Sequence, residues 1–170
     1  MNILAITLFL FFFLLIIIAA VAMAVLQIIA MWKIFIKAGE PGWKSIIPCY
    51  SIWTLYKFTW TPGISIAYMI LAIQGSIMVA IAQLFAQLAL LSYDWDVAFV
   101  FLLIALVIVL IGIALGLAAY VIQCIAMHKL SLAFGHGGGF TVGLIFLPTI
   151  FLMILAFGQS QYVGNSSLAN

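Results

Sequence analysis

The chain has 170 residues, 69% of them hydrophobic and 5% charged, with five Lys, no Arg and a formal net charge of +2. A water-soluble domain carries about 25% charged residues to cover its surface, so these few charges exclude a soluble globule. The lysines are also too sparse for a nucleic-acid footprint, and that class of partner is excluded as well.

Lipid is then the expected solvent, and an all-α bundle the expected fold, because a helix satisfies its own backbone within hydrocarbon. About 20 apolar residues suffice to cross a bilayer core about 30 Å thick. Four stretches qualify, 3–31, 63–91, 97–127 and 140–158, within a single transmembrane domain covering 1–170. The first has no basic residue ahead of it and runs uncharged to Trp32, so it reads as a retained span and not as a cleaved signal peptide.

Between the first two stretches lie Lys33, Lys37, Lys44 and Lys57, and between the last two lies Lys129; Asp94 and Asp96 occupy the remaining connection. Basic residues in short loops stay on the cytoplasmic side. With four spans, this rule puts the lysine loops inside and both termini outside, in the inner (plasma) membrane of a cell.

The first connection holds Trp32, Trp43, Trp53 and Trp60 with Tyr50 and Tyr56. Amphipathic rings favour the headgroup level, so 43–61 reads as an interfacial or a shallow re-entrant segment, anchored by these six aromatics and Lys57. Helical periodicity places Tyr50, Thr54, Lys57 and Thr61 on one side and Ile52, Leu55 and Tyr56 elsewhere.

Two heptapeptides, Gln27-Ile-Ile-Ala-Met-Trp-Lys33 and Gln123-Cys-Ile-Ala-Met-His-Lys129, agree at five of seven positions. Each continues into a glycine turn and then a proline: Gly39, Pro41, Gly42 and Pro48 after the first, Gly135, Gly138 and Pro148 after the second. The pattern suggests a two-fold internal repeat of helix, Gly turn and Pro-containing segment, related by an axis along the membrane normal.

In lipid, helices associate through small residues and interhelical hydrogen bonds. Three stripes fit that need: Ala20, Ala24 and Gln27; Ser76, Ala80, Gln83 and Gln87; and Ala105, Gly112, Gly116, Ala119 and Gln123. These are the expected packing faces. None of the four stretches contains Asp, Glu, Lys or Arg, which argues against ion-coupled transport.

No catalytic set assembles from the sequence. The Gly135-His136-Gly137-Gly138-Gly139 string resembles an esterase oxyanion loop, but it lacks the nucleophile elbow that such chemistry needs. Cys124 and His128, four residues apart, supply two metal ligands where a site needs more, and no metal or other cofactor is expected. Cys49 and Cys124 read as reduced packing residues, and Asn165-Ser166-Ser167 fits a glycosylation sequon.

The run from Trp32 to Tyr50, with Phe134 to Phe140 and Gly143 to Pro148, resembles a family of small bacterial multi-pass membrane proteins of unknown function, members of which often carry a signal peptidase I label. The chain departs from that pattern at Ser51, His136 and Met153. Signal peptidase chemistry needs a Ser nucleophile and a Lys base outside the membrane, and the expected outer segments hold no lysine. The expectation is a non-catalytic scaffold or accessory subunit that packs against another membrane protein or its own copies. A small passive channel or transporter built from the repeat is the alternative.

Overall fold

The computed structural model describes residues 3–164, so the sequon at Asn165 lies outside the described residues. The described chain is helical: α1 (Ile3–Lys37), a 3-10 turn (Gly42–Ser45), α2 (Pro48–Thr59), α3 (Pro62–Leu91), α4 (Trp95–Ala133), α5 (Gly138–Phe146) and α6 (Pro148–Phe157). Three of these helices, α1, α3 and α4, are long and apolar enough to cross a membrane by length and composition. Two compact units form, one from the chain up to Thr59 and from His128 onward, the other from Trp60–Met127.

The fourth expected span, 140–158, is a broken pair of helices. A straight helix would hold Phe140 and Phe151, eleven residues apart, about 16 Å from each other along its axis, yet their ring centroids are 5.1 Å apart. The chain therefore doubles back. Pro148 has no N–H and pushes the residue before it out of the helical region; Leu147 accordingly sits at φ −131°, ψ 58°. Gly143 leaves room for the Phe151 ring, which a β-carbon there would strike. Arms of 9 and 10 residues reach about 15 Å each, half the depth of a bilayer core.

In the same unit, α6 runs parallel to the lower part of α1. Gln27 Nε2 donates to Thr149 Oγ1 over 2.9 Å near the start of α6, and Lys37 Nζ donates to Leu155 O (2.8 Å) and Gly158 O (2.7 Å) at its end. Thus the segment after α6 lies at the lysine-bearing end of α1. A straight helix over 140–158 would carry the tail to the opposite end of α1; the reversal at Leu147 instead returns Gln159–Val163 to the lysines.

Both α1 and α4 end in the same way. Glu40 N donates to Phe35 O and Gly39 N to Ile36 O; His136 N donates to Ser131 O and Gly135 N to Leu132 O. This pair of bonds is the Schellman arrangement, which needs a left-handed residue after the helix, and Gly39 (φ +77°) and Gly135 (φ +75°) supply it. After each turn comes a short helical piece and then a helix that begins at a proline, Pro48 or Pro148.

α2 is 12 residues long, about 18 Å and too short to cross. Tyr50, Trp53 and Lys57 on it are exposed, whereas Thr54, Leu55, Tyr56, Phe58 and Thr59 are buried. Tyr56 is fully enclosed by protein, and Thr54 is buried beside Leu55. The α2 face that meets the unit is wider than the polar stripe suggested, because Phe58 packs edge-on against Phe35 at 5.7 Å.

The second unit is a hairpin of α3 and the greater part of α4. Its buried seam repeats every seven residues, Gly75, Ala82 and Ala89 on α3 and Ala105, Gly112 and Ala119 on α4. A seven-residue repeat keeps the seam facing the partner helix. At its tightest point a β-carbon on Gly75 would lie 3.3 Å from Gly112 O, and one on Gly112 would lie 3.1 Å from the Val79 side chain. Ser76, Ala80, Gln83 and Gln87 are exposed instead. The expected α3 face is therefore displaced by one position, because backbone approach selects the smallest residues and not the polar ones; Ser76 returns its hydroxyl to Ala72 O and Ile73 O of its own helix. On α4, Gly116 is exposed and Gln123 half-buried.

Candidate functional site at the lysine-bearing end

The Schellman turn after α1 presents Glu40, the chain's single glutamate, to two lysines. Its Oε2 accepts from Lys44 at 2.6 Å and its Oε1 from Lys57 at 2.7 Å. The Lys44 bond, followed by the Lys57 bond, holds the Glu40 carboxyl below the ordinary glutamate value. One carboxylate thus ties the turn to the 3-10 piece and to α2. Trp32 covers Gly42, whose missing side chain admits the indole, and Trp43 lies 5.7 Å from Tyr50.

The equivalent turn after α4 carries His136, and His128 lies on the last turns of α4. His128 Nδ1 is hydrogen-bonded to Thr141 Oγ1 at 3.0 Å, which ties α4 to α5. His136 stacks on Phe140 at 4.2 Å and reaches Ser160 Oγ through Nε2 at 2.8 Å. Ser131 Oγ donates to Gly137 O, which pins the glycine run at the start of α5.

The segment after α6 crosses this end as a strap with four fastenings. Gly158 O and Leu155 O hold Lys37, and Ser160 meets His136. Tyr162 OH donates to Phe58 O at 2.8 Å, and Val163 N donates to Ala133 O at 2.8 Å. The Tyr162 ring lies edge-on between Phe58 (5.8 Å) and Phe134 (5.7 Å), and burial there raises its phenol above the usual tyrosine range. Lys33 Nζ sits 4.1 Å from the Phe157 ring centroid, a cation–π distance. Between Lys37 and the strap is a recess of about 400 Å³ lined by Lys37, Gly158, Gln159, Ser160, Gln161 and Tyr162.

Sequence reasoning singled out neither Glu40 nor Thr149, nor the pairing of His136 with Ser160, nor Tyr162. The lysine spacing around Glu40 was a usable signal; the other three depend on the reversal at Leu147.

The comparisons with known proteins place part of this region. Residues 92–165 match a family of unknown function, DUF5684, a stretch somewhat under half of the chain that contains α4, the broken hairpin and the strap. This agrees with the resemblance to a family without an assigned function. No curated protein and no solved structure matches the chain.

Proposed function

We propose that the chain is a non-catalytic membrane scaffold or accessory subunit that packs against another membrane protein or against its own copies. The observation that carries this reading is α1: every residue from Ile6 to Ile29 is exposed, including the small-residue positions Ala20, Ala24 and Gln27. Close approach in lipid depends on such residues, and α1 offers them over about two turns.

In this reading the polypeptide crosses the inner membrane three times. The aromatic loop, Lys129 and the strap lie inside, and the start of α1 with Asp94 and Asp96 lies outside, which keeps all five lysines on the cytoplasmic face. The two helix–turn–proline segments act as a duplicated module fixing the depth of the protein at that face. Cross-linking through Ala20→Cys and Ala24→Cys in native membranes tests the packing role. A discrete cross-linked species is expected, while a monomer at every concentration, with nothing co-purifying in mild detergent, would count decisively against it.

A passive pore is the second reading, favoured by the α5/α6 reversal. Non-helical backbone at membrane depth persists where protein or a water-filled cavity surrounds it, and the Gln27–Thr149 pair supplies polar groups beside the break. Solute flux in liposomes that disappears with Gln27→Leu would raise this reading above the first.

A further inference from the structure

The recess beneath the strap is rich in hydrogen-bond donors and holds no acidic side chain. Lys37 brings an ammonium with two of its three protons committed to Leu155 O and Gly158 O. The backbone N–H groups of Gln159, Ser160, Gln161 and Tyr162 and the carboxamides of Gln159 and Gln161 have no partner among the described residues. Ser160, oriented by His136, adds a hydroxyl. The remaining acid of this end, Glu40, is neutralised by Lys44 and Lys57.

The recess is lined by an ammonium, a hydroxyl-bearing serine and consecutive residues whose backbone amides are uncommitted, and groups of this kind bind a tetrahedral oxyanion. Carboxamides extend the set to the ester oxygens around it. The recess also lies where α1 leaves the apolar region, at the level of the Lys33 cation–π contact, and basic pockets at that level suit anionic lipid headgroups. We infer that Lys37 and the 158–162 strap form a binding site for a phosphate group, presented as the headgroup of an anionic phospholipid or as a free phosphate.

The test uses the full chain in a neutral, phosphate-free detergent, with binding followed by native mass spectrometry and by the rise in thermal midpoint that a ligand selective for the folded state produces. Three probes are titrated: a short-chain phosphatidylglycerol, the diacylglycerol with the same chains, and inorganic phosphate. The inference expects saturable binding of phosphatidylglycerol, with diacylglycerol weaker by about tenfold or more, as the loss of charge-assisted hydrogen bonds implies. Inorganic phosphate competing at equal affinity would support the anion site and assign it to a free phosphate instead of a lipid. Lys37→Gln should weaken binding about tenfold. Because Lys37 also anchors α6, Gln161→Glu serves as the second variant: it places a negative charge at an exposed position and should abolish binding with the fold intact. Equal affinity for phosphatidylglycerol and diacylglycerol, or undiminished binding by Gln161→Glu, would overturn the inference.

Discussion

The Tyr162 phenol donates to the carbonyl of Phe58 across 104 residues of sequence, and this bond places the segment after α6 against the end of α2. Both lie at the lysine end of α1. Cysteine accessibility in intact cells and inverted vesicles checks the side. The native Cys49, which is exposed, and Gln161→Cys should react from the same side, and Leu8→Cys, at the far end of α1, from the opposite one. Reaction of Gln161→Cys together with Leu8→Cys would refute the reversal at Leu147.

The reversal can be probed by its tightest contact. With Gly143→Leu the added side chain collides with the Phe151 ring, a steric conflict of the kind that costs about 1–3 kcal/mol. The arms should splay. Spin labels at the exposed positions Val142 and Ile154 should report a longer separation in this variant than in the parent.

In the second unit, Gly75→Leu forces side-chain atoms into the α4 backbone, whose nearest oxygen is 3.3 Å from the site of the new β-carbon. A loss of about 1–3 kcal/mol follows, measurable as a lower thermal midpoint in detergent. Gly116→Leu is the matched control, since a β-carbon there meets nothing within 4 Å, and it should leave the midpoint nearly unchanged.

Gly39→Ala and Gly135→Ala each put a β-carbon on a residue held at positive φ. Each should cost about 1–2 kcal/mol. Substitution of Gly63, where φ is ordinary and the space open, should cost less, and chemical unfolding of the three variants ranks them.

Glu40 confers an acid-sensitive stability. Its folded-state pKa lies below the ordinary glutamate value of 4.5 because of Lys44 and then Lys57, so its contribution is complete above that value and disappears as pH falls through the depressed one. The parent should lose stability between about pH 4.5 and lower values, and Glu40→Gln should lose less over the same interval. At neutral pH the variant should be weaker by about 1 kcal/mol or less, a difference that shrinks with salt because Lys57 is half-exposed.

Helical class and the apolar stretches were legible because hydropathy and length dominate composition of this kind. The turns were legible too, since Gly39 and Gly135 answer a local steric demand. The break at Leu147 was not: Pro148 signals a kink, but whether the arms continue or fold back depends on Gly143 admitting Phe151, a contact between positions eight apart. The α3 seam was misplaced by one residue because polar residues at helical spacing imitate a packing stripe, whereas Gly75, Ala82 and Ala89 are inconspicuous in so apolar a run. The strap could not be read at all, as its bonds to Lys37, Phe58 and His136 join segments distant in sequence.

The seven-residue seam between α3 and α4 consists of Gly and Ala, which have no side-chain rotamers to immobilise when the helices meet. Closing it requires little more than bringing two neighbouring helices together across the Ser92–Asp94 turn, a contact local in the chain and therefore kinetically accessible. The hairpin can therefore zip as soon as the part of α4 up to Met127 has been synthesised, with no later residue needed to close the seam.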